Sequence, residues 1–258
     1  MKTYAGIDLH SSNNYIGVID AKDNRLYSRR HHNLMPDILK VLGKFKTTLQ
    51  GVVVESTYNW YWLVDGLMDH GYRVHLANPS AIKTYEGLKH TDDKWDSFWL
   101  AHLLRLGILP QGYIYPKEQR PIRDLLRRRQ LYVRHRTSHI LSLQSMISRN
   151  LGFKVSNNEI RKLKPEDIED MFACPNLVFM ADNSLAAIKF LKQTILEIEK
   201  RVKSQVKMRK EFLMLQTIPG IGNILGLTIM LEVGDIGRFA TVGDYSSYCR
   251  CVESKRTS

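Results

Sequence analysis

The chain has 258 residues, with 38 Lys and Arg against 26 Asp and Glu, a net charge of +12, and 43% hydrophobic residues. These proportions exclude disordered, collagen-like and low-complexity chains and leave apolar material for one large or two small domains. A pI near 9.6 points to a polyanionic partner, with nucleic acid the first choice.

Residues 3–9 and 15–20 alternate as short strands joined by Ser11-Ser12-Asn13-Asn14, and the turn Lys22-Asp23-Asn24 leads into a third strand over 25–30. This is the pattern of an antiparallel meander. Pro36 opens a helix in which Ile38, Leu39, Leu42 and Phe45 recur at helical spacing. Gly51-Val52-Val53-Val54-Glu55 reads as a strand buried on both faces. A helix over 58–70, closed by Gly71, and a strand over 72–77 come next. The order β-β-β-α-β-α-β-α predicts an α/β domain with a mixed sheet.

Residues 93–106 read as a helix, and a Pro/Gly loop (Pro110, Gly112, Pro116) succeeds it. A second stretch, 118–150, is helical and rich in arginine: Arg120, Arg123, Arg127, Arg128, Arg129, Arg134 and Arg136. Such a face suits a phosphate backbone, because arginine offers forked donors. A further long helix is predicted over about 183–212. Its Leu185, Ile188, Leu191, Ile195, Ile198 and Val202 are spaced as a coiled-coil seam. Either an antiparallel pair within the chain or a dimer satisfies that seam. Pro219-Gly220-Ile221-Gly222 then reads as the turn of a helix-hairpin-helix whose Gly220 and Gly222 let backbone N–H groups approach a phosphate. The expected division is 1–116 catalytic, 117–210 basic and helical, and 211–258 a partial all-α domain. Trp60, Trp62, Trp95 and Trp99 are expected in packing.

Asp8 interrupts the apolar stretch that a signal peptide needs, and no run reaches the ~18 apolar residues of a membrane span. Cys174, Cys249 and Cys251 are an odd count without framework spacing, as in a reduced cytoplasmic protein.

Acids inside apolar strands carry the chemistry. Asp8 lies within Ala5-Gly6-Ile7-Asp8-Leu9, and Glu55 ends a run of valines. A buried carboxylate is costly without a cation or strong donor. Asp93 and Asp96, three apart on a helix, share a face, with Asp92 a competing neighbour. Together Asp8, Glu55, Asp93 and Asp96 suit Mg²⁺ or Mn²⁺, hard ions that serve phosphodiester chemistry. A sugar-kinase or actin-like ATP site is disfavoured, because Asp8-Leu9-His10-Ser11-Ser12 lacks the glycine needed to approach phosphate.

Three segments resemble a known family: Gly6-Ile7-Asp8-Leu9-His10, Val53-Val54-Glu55-Ser56-Thr57 and Asp92-Asp93-Lys94-Trp95-Asp96. They are similar to the D-E-D-D insertion-sequence transposases with a RuvC-like, ribonuclease-H-type domain. Ser97 stands where the family has alanine. A second family block resembles Ile218-Pro219-Gly220-Ile221-Gly222 and Gly234-Asp235-Ile236-Gly237-Arg238-Phe239. The resemblance implies a mobile-element recombinase acting on DNA under a structured guide RNA, with metal-binding acids and a C-terminal serine nucleophile. Ser258 is the matching serine and Ser254 the second choice; the family pattern runs on past this point, so a truncated C-terminal domain is expected. A homo-oligomer is expected because recombination joins two DNA ends. The alternatives are a RuvC-like nuclease or junction resolvase, which uses water, and a non-catalytic nucleic-acid-binding remnant.

Overall fold

In the computed structural model of the chain, residues 1–82, 93–206 and 210–252 are described. Strands β1 (Thr3–Leu9) and β2 (Asn13–Asp20) form an antiparallel hairpin that β3 (Arg25–His32) extends. The chain divides into two units, Met1–Tyr115 and Pro116–Ser258.

The first unit continues with α1 (Met35–Gly43), β4 (Leu49–Glu55), α2 (Tyr61–Asp69), β5 (Val74–Ala77), α3 (Asp93–Leu106) and the two-residue β6 (Gln111–Gly112). Among the described residues the sheet order is β3-β2-β1-β4-β5-β6, with the β1–β4 and β4–β5 pairs parallel and the β1–β2, β2–β3 and β5–β6 pairs antiparallel. A mixed sheet with flanking helices is therefore present, consistent with the ribonuclease-H-like start expected from the sequence.

Side-chain alternation divides the sheet into two faces. Ala5, Ile7, Leu9, Ile16, Val18, Val52 and Val54 pack with Ile38, Leu42, Leu63 and Leu67 from α1 and α2. The opposite face carries Gly6, Asp8, Gly17, Val53 and Glu55, and α3 covers it. There Val53 and Ala77 pack with Leu100 and Leu103.

Two glycines set how closely α3 lies. A Cβ on Gly6 would fall 2.0 Å from the backbone oxygen of Ser97, and one on Gly17 would fall 2.7 Å from Ser97 Oγ. The two glycines are directly paired across β1 and β2. Ser97 itself is fully buried, so its small size is required from the helix side as well. The first turn of α3 therefore reaches the strand position two residues beyond Gly6, which is Asp8.

The second unit is helical. α4 (Arg120–Leu151) runs antiparallel to α7 (Pro175–Gln205), with α5 (Asn157–Ile160) and α6 (Pro165–Met171) between them. Ile140, Leu143 and Ile147 meet Leu185 and Ile188 at one end, and Leu126 meets Ile198 and Val202 at the other. The predicted seam is buried, within one chain. Its helix begins earlier than the spacing indicates, because Pro175 in the first turn with extended Cys174 before it opens α7. It also ends earlier, at Gln205, where Val206 turns extended. α8 (Lys210–Gln216), α9 (Asn223–Val233) and α10 (Val242–Tyr248) complete the described residues. Among these no helix is long and apolar enough to cross a membrane.

Gly6→Ala is expected to lower unfolding free energy by about 3 kcal/mol or more, at the upper end of overpacking costs. Gly43→Ala, where an added Cβ meets nothing within 4 Å, is expected to be neutral or slightly stabilising. Urea midpoints compare the two; equal effects would remove the close approach of α3 as a structural constraint.

Candidate metal centre and nucleic-acid interface

Asp8 and Glu55 are brought side by side by strand register. Ile7 pairs with Val54 across the parallel β1–β4 ladder, so the next residue on each strand is an acid pointing to the α3 face. Both sit at the C-terminal ends of parallel strands, where α/β sheets commonly bind ligands. Asp8 is only 3% exposed. Burial raises the Asp8 pKa, the hydrogen bond from Glu55 and the nearby His10 oppose the rise, and the charges of Asp93 and Asp96 add to it. Glu55 is pushed up to about 7, chiefly by burial, then by its hydrogen bond to Asp8 and by Asp8's charge. Both acids are therefore harder to ionise than free carboxyls, and burial beside Asp8 makes Glu55 hold its proton to higher pH than usual.

The first turn of α3 supplies the other acids. Asp93 Oδ1 lies 3.3 Å from His10 Nε2, which is also 3.2 Å from Asp8 Oδ2. A ring nitrogen between two carboxylate oxygens carries its hydrogen there. Asp96 is half-buried on the same helix, close enough for its charge to raise Asp8. Arg30 Nη2 meets Asp93 Oδ2 at 2.5 Å.

His10, Arg30 and Asn59 were not singled out by sequence. His10 is two residues beyond Asp8, and so on the same side by strand alternation, which was a usable signal. Arg30 lies in the same cross-strand row as Asp8, since Asp8 pairs with Tyr15 and Tyr15 with Arg30; only the register reveals this. Asn59 Nδ2 donates to the His10 carbonyl at 2.9 Å, and Thr57 Oγ1 donates to Asn59 Oδ1 at 2.9 Å. Asn33 Nδ2 donates to the same carbonyl at 3.0 Å. The turn bearing His10 is thus tied both to the loop after Glu55 and to the segment after β3.

The donor set fits a hard divalent cation. Ligand atoms of Asp8, His10 and Asp93 lie within 4.8 Å of one another; Glu55 joins through Asp8, and Asp96 is near enough for its charge to act on Asp8 without belonging to that tight group. Among the described residues no Lys or Arg pairs with Asp8. Acids buried together that push one another's pKa upward are the electrostatic counterpart of a metal site.

In the second unit the arginines of α4 divide. Arg120 is buried, at 4% exposed. Arg123 Nε holds Glu232 Oε2 at 2.9 Å, and Arg127 meets both oxygens of Glu232 at 2.6 and 2.8 Å. Arg129 meets Glu199 at 2.7 Å. These contacts fasten α4 to α9 and α7, and the two guanidiniums keep the Glu232 pKa low against its burial. Arg128 and Arg134 are exposed. α8 and α9 form a helical hairpin; Gly220 takes a left-handed φ of +89° in its turn, and Gly222 caps α9 with open space around its Cα. Only glycine adopts that φ without strain. Asp92, Ser254 and Ser258 lie outside the described residues.

A transposase family model of the DEDD, IS110 type matches residues 5–150, and one described as a transposase of the IS116/IS110/IS902 family matches residues 213–258. No curated protein matches the chain.

The raised Glu55 pKa sets a sign for stability. The folded state holds that proton more tightly than the unfolded chain. Metal-free protein should therefore lose stability as pH rises from about 4.5 to about 7, then level off. Glu55→Gln should flatten that slope in melting temperatures taken with a chelator. Parallel slopes for the two proteins would contradict a raised Glu55 pKa in the folded state.

Proposed function

This chain belongs to the IS110-type transposases, and we propose that it cuts and rejoins mobile-element DNA at a Mg²⁺ or Mn²⁺ centre held by Asp8, Glu55, Asp93 and Asp96. The observation that supports this most is the convergence on one sheet face of acids from β1, β4 and α3, with Asp8 buried and no Lys or Arg beside it among the described residues. Bound divalent ions would supply positive charge to the attacking and leaving phosphate oxygens. His10 orients Asp8 and Asp93 through its ring N–H, and Arg30 holds Asp93 from the open side.

The nucleophile in this reading is the hydroxyl of Ser258, with Ser254 the alternative. Its oxygen bonds to phosphorus, the strand oxygen departs as a hydroxyl, and the hydroxyl proton passes to a base. One phosphate ester replaces another, so bond energy is kept for rejoining when a strand hydroxyl displaces the serine. A structured guide RNA is the second nucleic-acid partner, and a homo-oligomer brings two DNA ends together. The exposed Arg128 and Arg134, with the Gly220–Gly222 turn, would follow phosphates without reading sequence.

A water-using nuclease is the second reading, because every acid of the centre belongs to the Met1–Tyr115 unit and water attack needs no serine.

Asp8→Asn should abolish Mg²⁺-dependent DNA cleavage while leaving binding equal or tighter, since it removes a negative charge near phosphate. Cleavage at an unchanged rate would falsify the metal centre. Ser258→Ala should remove a covalent protein–DNA species on denaturing gels; nicking that persists without that species favours the nuclease, and binding with no cleavage in any form favours a binding remnant. Arg128→Glu with Arg134→Glu should weaken DNA binding and lower the salt slope by roughly one per lost phosphate contact. Arg123→Ala should act instead on thermal stability, by leaving Glu232 with one partner fewer.

A further inference from the structure

Between α3 and the β2–β3 hairpin lies a cleft of about 270 Å³, with Ile19, Asp23 and Arg25 on the hairpin side and Asp23 paired with His102 and Arg105. Its walls are unusual for a packing defect. Trp95, Trp99 and His102 form a continuous stack along α3, with ring centroids 5.1 and 5.4 Å apart and planes within 17° and 19°. Trp95 and Trp99 are only half-buried. Across the cleft, the Arg25 guanidinium sits 4.4 Å from the centroid of the Phe98 ring.

The β3 edge links this cleft to the metal centre. Arg25 pairs with Ile19 and Arg30 with Tyr15, so both arginines stand on the face that α3 covers. Both are exposed. They lie roughly 15 Å apart along the strand. One is in the aromatic cleft and the other on Asp93. A charged edge alone is explained by protection against edge-to-edge pairing, but that role asks for no aromatic cavity. Aromatic packing alone asks for no flanking guanidiniums. Their combination is the composition of single-strand binding sites: rings that stack any base and arginines that follow the backbone.

We infer that this cleft is a subsite for unpaired DNA flanking the phosphate to be cut, with a base against the Trp95 end of the ring stack and the backbone running along β3 from Arg25 toward Arg30. DNA is the occupant because it is the strand the carboxylates are proposed to cut, and Trp95 and Trp99 lie on the same helix as Asp93 and Asp96. The inference rests on the metal-centre reading for its location, but its test needs no cleavage.

The full chain carrying Asp8→Asn is mixed with a single-stranded oligonucleotide containing 5-iododeoxyuridine, irradiated, and the cross-linked peptide mapped. A matched RNA oligonucleotide containing 5-iodouridine and a duplex serve as the other arms. Cross-linking of the single-stranded DNA to Trp95 or Trp99 is expected. Trp95→Ala should lose about tenfold in affinity for single-stranded DNA, in the range of one lost stacking contact, and Trp95→Phe should recover most of it. Cross-links confined to other segments, an unchanged affinity in Trp95→Ala, or labelling by RNA in place of DNA would each overturn the inference. Because these readouts use an Asp8→Asn protein, they stand or fall separately from the cleavage test of Asp8.

Discussion

The candidate centre depends on how closely a helix can lie on a sheet. Gly6 and Gly17 leave a gap in the face beneath α3, and the Ser97 backbone fills it. Carboxylates do not assemble by themselves; Asp8, Glu55, Asp93 and Asp96 repel one another. What holds them together is apolar burial elsewhere on the same helix, where Phe98, Leu100, Ala101 and Leu103 are almost wholly inside. The helix is driven down by its middle and carries its acidic first turn with it.

The electrostatics run against the average of the molecule. A chain with a net charge of +12 keeps a locally acidic pocket, with Arg30 at its rim. Arg30 faces Asp93 from an exposed position, with 61% of its side chain accessible, while Asp8 is buried and meets His10 and Glu55. Arg30 thus offsets the charge of Asp93 at the rim and leaves Asp8, which no Lys or Arg pairs with among the described residues, as the uncompensated acid of the pocket. The edge strand β3 connects the centre to the aromatic cleft, where Arg25 stands at the far end.

The second unit shows that residue type does not settle a residue's role. The arginines of α4 read alike in sequence. In the folded chain Arg123 and Arg127 clamp Glu232, Arg129 clamps Glu199, and Arg128 and Arg134 face outward. A guanidinium engaged by a partly buried carboxylate is a structural tie, and its removal leaves a charge behind. The seam of α7 behaves likewise: Leu185 to Val202 was legible as a stripe, and only its partner helix shows that the stripe closes within the chain.

Much was legible without coordinates, because it rests on local periods. Strand alternation placed Asp8 and Glu55 at positions that demand an explanation, helical spacing put Asp93 and Asp96 on one face, and the order of the first eight elements came from apolar runs and turn residues. Short or proline-set features were lost: β6 has two residues, and α7 starts at Pro175 ahead of its apolar stripe. What only the tertiary structure decided is which groups meet across the chain. Arg30 reaches Asp93, Asn59 reaches the His10 turn, and Trp95 and Trp99 flank a cleft because register and packing distance put them there. A period along the chain determines which way a side chain points, but the neighbour it points at is chosen by how separate elements fit together.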